Sequence, residues 1–188
     1  MRPALRDPDM PTQPSKKSHV AGVAPLGEDG NKEKPPLLGG IQIENEIVIR
    51  KSPSECYLYW RDFSHLPEFM SHLEEVAIID DRHSHWTLLG PGDSYLDWDA
   101  EIIVDTPGRL ISWRSTQNAQ VDNAGSVHFT PENDGLSTRV KVAMTYNPPA
   151  GALGEAIADI FGEAPAQQLA EDLERLKDLL EHKAGPHS

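Results

Sequence analysis

From residue 41 onward the apolar positions follow two alternating rhythms. Ile41, Ile43, Ile47 and Ile49 alternate with Gln42, Glu44, Glu46, Val48 and Arg50, the period-two pattern of a strand. Ser52-Pro53-Ser54-Glu55 then predicts a helix start, with Ser as N-cap, Pro at the first helical position and Glu placed for a capping box. That helix carries Cys56, Tyr57, Tyr59, Trp60 and Phe63; Pro67 interrupts it, and a short helical turn through Phe69 and Met70 is expected. Strands follow at Val76–Ile79, around Trp86 and Leu88, and over Leu96–Asp105. In the last of these, Leu96, Trp98, Ala100, Ile102 and Val104 share one face, and Asp97, Asp99, Glu101, Ile103 and Asp105 the other. Leu110–Ser115, a short strand led by Val127 and Phe129, and Thr138–Tyr146 complete about seven strands. Gly90-Pro91-Gly92, Pro107-Gly108 and Asn133-Asp134-Gly135 supply hairpin-length turns, so the sheet should be antiparallel and strongly curved.

The period then changes to that of a helix. Pro148-Pro149 stops the last strand. Leu153, Ile157, Ile160 and Phe161 form one apolar stripe, and Leu169, Leu173, Leu176 and Leu180 form a second. Gly162 and Pro165 lie between them and predict a kink or break. The segment Ala150–Phe161 could close over a cavity as a flap or simply dock as part of a kinked helix. The expected class is α+β in β-α-α-β6-α order, one curved sheet wrapped on a long kinked C-terminal helix.

Composition sets the domain limits. Seven of 16 prolines fall in residues 1–40, which lack apolar periodicity and should form a disordered arm. The folded domain is expected over 41–183, with 184–188 as a tail. Those first 40 residues hold six Lys/Arg and five Asp/Glu, leaving 11 basic and 25 acidic groups for the rest, a net −14. So acidic a surface repels phosphate backbones, which argues against nucleic acid as a partner. Strong electrostatic binding to anionic lipid is disfavoured too, while a transient membrane contact stays open. No stretch reaches the roughly 20 apolar residues of a membrane span, and no apolar signal-peptide core stands at the N-terminus. The single cysteine, Cys56, excludes an internal disulfide and suits a reducing cytoplasm.

Three stretches carry a family likeness. They are Trp60-Arg61-Asp62-Phe63 through Leu66-Pro67-Glu68-Phe69-Met70; Trp98-Asp99-Ala100-Glu101-Ile102 with Pro107-Gly108 and Ile111-Ser112-Trp113-Arg114-Ser115; and Gly125-Ser126-Val127-His128-Phe129 with Thr138-Arg139-Val140 and Tyr146-Asn147-Pro148-Pro149-Ala150-Gly151. Over residues 41–182 the chain resembles the polyketide cyclase/dehydrase and START-like superfamily, with its helix-grip fold. It looks most similar to the bacterial coenzyme Q-binding START-domain subgroup. The resemblance implies a cavity between sheet and last helix for a lipid, quinone or polyketide-like molecule, with no cofactor. As the alternative it allows a polyketide cyclase/dehydrase-type enzyme or, less readily, an interaction module like the ribosome-associating toxin relatives.

Candidate chemistry is sparse. Strand parity and the resemblance give a ligand pocket of Trp60, Phe63, Phe69, Met70, Trp86, Trp98, Ile102, Trp113, Phe129, Val142, Met144, Tyr146, Leu153, Ile157 and Phe161. Ordinary core is the competing reading for any one of these. Asp97, Asp99 and Glu101 on one strand, and Arg139 and Lys141 on another, read as ion-paired residues of a solvated face. His83 and His85 share one side of a strand, but no third ligand is spaced to make a zinc site with them, so no metal is expected. His65 and His72 sit near the junction of the helical insert and the sheet, at the surface or at the mouth of a pocket. Arg61 and Arg114 each adjoin a Trp and either reach a ligand oxygen or pair with a carboxylate. No nucleophile elbow, P-loop, dinucleotide fingerprint or metalloprotease motif occurs, and no catalytic residue can be assigned.

Overall fold

The computed structural model describes residues 40–90, 94–117, 119–147 and 165–182. Seven strands form one antiparallel sheet: β1 (Ile41–Ile49), β2 (Leu73–Ile78), β3 (His83–Leu89), β4 (Tyr95–Thr106), β5 (Leu110–Ser115), β6 (Asp122–Pro131) and β7 (Thr138–Asn147). Their spatial order is β1-β7-β6-β5-β4-β3-β2, so every neighbour except the β1–β7 pair is also a sequence neighbour. Helix α1 (Pro53–Arg61) and a 3-10 turn (Phe63–Glu68) lie between β1 and β2. Helix α2 (Pro165–His182) buries Leu169, Leu173, Leu176 and Leu180. This is the expected α+β helix-grip architecture. The stripe of Leu153, Ile157, Ile160 and Phe161, the kink expected near Gly162 and the flap lie outside the described residues.

Local chemistry explains the element ends. Ser52 Oγ accepts from the Glu55 N–H while Glu55 accepts from the Ser52 N–H, closing the capping box and holding the Glu55 carboxyl below its usual range. Gly108 and Gly135 adopt φ of 69° and 68° in their turns, a region where a Cβ is strained. On the outer face of the sheet, Lys141 pairs with Glu44 at 2.7 Å and Arg139 with Glu46 and Glu132, the cross-strand pairing expected of a solvated face.

Four expectations need correction. Helix α1 stops at Arg61, so Phe63 belongs to the 3-10 turn, which Asp62 caps and Pro67 occupies rather than interrupts. Phe69 follows that turn instead of sitting in it. The strand led by Val127 and Phe129 is ten residues long. Finally, β4 carries an extra residue at Ile103: Ile102 pairs with Trp113, but Val104 pairs with Ser112. This bulge reverses the alternation beyond Ile102. Val104 is therefore exposed, and Asp105 turns toward α1, where it accepts from Tyr57 Oη at 2.6 Å and Arg61 Nε at 2.6 Å. Burial works to raise the Asp105 carboxyl, but the bonds from Tyr57 and Arg61 outweigh it and hold the carboxyl below its usual range.

Candidate functional site

The inner face of the sheet is divided. Under α1 and the 3-10 turn, Trp60, Phe63, Leu66, Val127, Phe129 and Val140 pack without exposure of note. Toward the start of α2 the side chains of sheet and helix leave a cavity of about 70 Å³. At roughly 10–15 Å³ per water position, that is room for about five waters.

Three indoles form much of its wall. Trp86 on β3 pairs directly with Trp98 on β4, and their rings stack at 5.9 Å and 29°. Trp86 also stacks on Trp113 of β5 at 6.2 Å and 21°. Strands two apart are separated by roughly 9.6 Å, so these rings must lean together over β4. Ala100, 1% exposed, supplies the small side chain that permits it. Gly125, paired with Trp113, is needed for the same reason: a Cβ there would lie 2.3 Å from Trp113 Cζ2. Phe63 meets Trp86 and Trp113 edge-on at 5.5 and 5.8 Å, tying the cavity wall to the packed half.

Of the pocket residues expected from sequence, the cavity brings together Met70, Trp86, Trp98, Trp113, Met144 and Tyr146. Trp60, Phe63, Phe69, Ile102, Phe129 and Val142 lie in the core away from its lining. Leu153, Ile157 and Phe161 fall outside the described residues. The lining also includes Ile43, Leu73, Leu88, Val121 and Leu169, whose apolar periodicity was visible in part, and Pro165. Of its polar members, His72 stood among the pocket-mouth candidates in the sequence, while Asn123, Gln168 and Asp172 carried no signal there.

Asp172 is 6% exposed. Burial pushes its carboxyl above the usual range, and Gln168, Arg175 and His72 offset this only in part. Its Oδ1 accepts from Gln168 Nε2 at 3.2 Å and from Arg175. Arg175 Nε in turn donates to the Phe69 carbonyl at 2.9 Å, which fastens α2 to the segment after the 3-10 turn. Asn123, also 6% exposed, donates from Nδ2 to the Val121 carbonyl, and its own N–H bonds to Ser115 Oγ. Burial raises the Tyr146 phenol.

The remaining candidates are engaged elsewhere. Arg61 holds Asp105 and the Asp81 carbonyl, and Arg114 lies 3.7 Å from Glu101. His83 and His85 sit 2.9 and 2.8 Å from Asp80 and Asp99. His65 stacks on Tyr59. Cys56 is buried, and burial pushes its thiol up to about 11, which makes it a poor nucleophile. Among the described residues no group of three His, Cys, Asp or Glu side chains is placed to hold a metal. Nor is any described helix long and apolar enough to cross a membrane.

A curled antiparallel sheet closed by a C-terminal helix over an apolar cavity defines a START-like, helix-grip protein. Residues 49–174 match the family described as polyketide cyclase / dehydrase and lipid transport, and the chain belongs to that family. A solved protein of Deinococcus radiodurans is 34% identical, with a TM-score of 0.63 over 75% of this chain and 97% of its own. Two more distant structures share the fold. One is the Zhui aromatase/cyclase of a Streptomyces species, at 13% identity and TM-score 0.59 over 78% of this chain and 96% of its own. The other is a START superfamily protein of Mycobacterium smegmatis, at 11% and 0.59 over 76% and 99%.

Proposed function

We propose that this protein binds a small hydrophobic molecule, of lipid, quinone or polyketide-like type, in the cavity between the sheet and α2. The observation that carries the reading is the hollow itself: the same sheet face that is solidly packed under α1 is open where three indoles line it. Met70, Trp86, Trp98, Trp113, Met144 and Tyr146 would contact the ligand. Burial contributes roughly 25 cal/mol per Å² of apolar surface before the cost of association. The cytoplasm is the compartment that suits the free thiol of Cys56.

Native mass spectrometry of the gently isolated chain, followed by solvent extraction, tests this. A stoichiometric adduct released by solvent is expected. An empty protein that also declines a panel of quinones and lipids overturns the reading.

One observation favours a cyclase/dehydrase-type enzyme as the second reading. Asp172 and His72 wall the same cavity, and a held substrate chain beside groups able to move protons is the minimum such chemistry needs. Turnover of a polyketide-like substrate that is lost in Asp172→Asn would favour this reading over simple binding.

A further inference from the structure

We infer that Trp98 sets the ligand chemistry of the cavity: its indole N–H donates to a carbonyl oxygen carried on an apolar body. The inference rests on the function proposed above and names the group by which its ligand is chosen.

The indole nitrogens differ in how they are satisfied. Trp86 Nε1 donates to Ser84 Oγ at 2.8 Å. Trp60 Nε1 and Trp98 Nε1 are buried and have no hydrogen-bond partner among the described residues. Their places differ as well. Trp60 is 0% exposed in the packed half, away from the cavity lining. Trp98 is 8% exposed and lines the cavity. A buried N–H without an acceptor has lost its hydration and gained no bond, a cost that the fold alone does not recover. Trp60 is out of reach of any guest. Trp98 stands where a guest can come.

Binding usually exchanges a donor's bond to water for a bond to the ligand, and the net gain is modest. Here no water has to be stripped from the donor, so the new bond counts for more. Trp86 stacks on one face of the Trp98 ring at 5.9 Å, so a guest meets the other face or the edge. Nε1 itself is covered in this packing. The guest's oxygen therefore gains it through a small tilt of the indole. Around Trp98 the lining is mostly apolar, with Leu88, Val121, Met144 and Leu169, which suits a carbon body bearing few polar groups. A carbonyl fits this wall best, because it accepts without bringing a proton that needs a partner of its own. A hydroxyl oxygen accepts too but adds such a proton. A hydrocarbon leaves the N–H as it was.

The test is titration of the full chain with acetophenone and with α-methylstyrene, in which a methylene replaces the carbonyl oxygen at nearly the same shape. The indole N–H resonances are followed by proton–nitrogen correlation NMR. Acetophenone should move the Trp98 N–H proton downfield, as a new hydrogen bond does, and α-methylstyrene should not. The Trp60 N–H is the internal control and should stay in place with both. Trp98→Phe keeps a flat ring and removes the donor. It should weaken acetophenone about tenfold more than α-methylstyrene, the size expected of one well-placed hydrogen bond. The wild-type spectra stand whether or not this variant folds. A Trp98 N–H that responds alike to both probes, or an equal loss of both in Trp98→Phe, overturns the inference and leaves the proposed function standing. Binding of neither probe overturns both.

Discussion

Strands β6 and β7 pass through two regions that look alike in sequence and differ in packing. Under α1, Val127, Phe129 and Val140 are at most 3% exposed and meet a continuous core. A few residues along the same strands, Asn123, Met144 and Tyr146 face a cavity. The two regions also treat their carboxylates in opposite ways. Asp105, beside α1, is held below its ordinary range by Tyr57 and Arg61, while Asp172, at the cavity, is raised by burial. The packed half is thus built for stability, and the hollow half keeps a carboxyl whose charged form burial disfavours.

Core truncation should break the comparison most severely. Trp60→Ala in the packed half should cost about 3–5 kcal/mol by urea unfolding. Trp60→Phe should cost far less, because Trp60 Nε1 has no partner to lose. Enlargement separates the halves by sign. Val140→Phe should destabilise by about 1–3 kcal/mol through overpacking. Leu169→Phe, pointing into free space, should be neutral or stabilising by about 0.5–1 kcal/mol and should block ligand uptake. If both enlargements cost the same, the cavity is not available space. At the boundary between the halves, Gly125→Ala must displace the Trp113 indole. A loss of about 1–3 kcal/mol is expected, with a changed near-UV dichroism from the indole stack. Away from both halves, Ser52→Ala should cost about 1 kcal/mol through the lost cap.

Acid titration gives the smallest effect and sharpens the contrast in carboxylates. The folded form of Asp105 titrates below the unfolded value of 3.8, so its stabilising contribution is complete above that value and is lost as pH falls through the lowered one. Asp105→Asn should flatten the acid limb of a stability–pH curve. Asp172 has the opposite sign. Its folded form holds the proton to higher pH than the unfolded chain, so stability falls as pH rises from 3.8 through the raised value. Asp172→Asn should remove that decline.

Much of this was legible along the chain. Strand count, antiparallel pairing, the capping box at Ser52 and the leucine face of α2 all follow from spacing, because local backbone chemistry and a two-sided environment imprint a period on the sequence. The indole wall was legible too, since Trp86, Trp98 and Trp113 each stand at an inward parity. The misplaced positions have one cause apiece. The bulge at Ile103 has no compositional mark, so Val104 and Asp105 were assigned to the wrong faces. Pro67 reads as a breaker, yet a 3-10 turn accepts it.

Alternation states which side chains turn inward and nothing more. Whether inward side chains fill their space depends on how far α2 stands from the sheet and how the rings lean, which are relations between distant segments. Asn123 and Asp172 illustrate the limit. Separately, one is an unremarkable strand residue and the other one acidic group among many on an acidic chain. The sequence by itself determined a curved sheet, a covering helix and an aromatic inner face. Only the tertiary structure decided that part of that face stays hollow, and that Asn123 and Asp172, from β6 and α2, line the same hollow, because burial and proximity are properties of the packed whole.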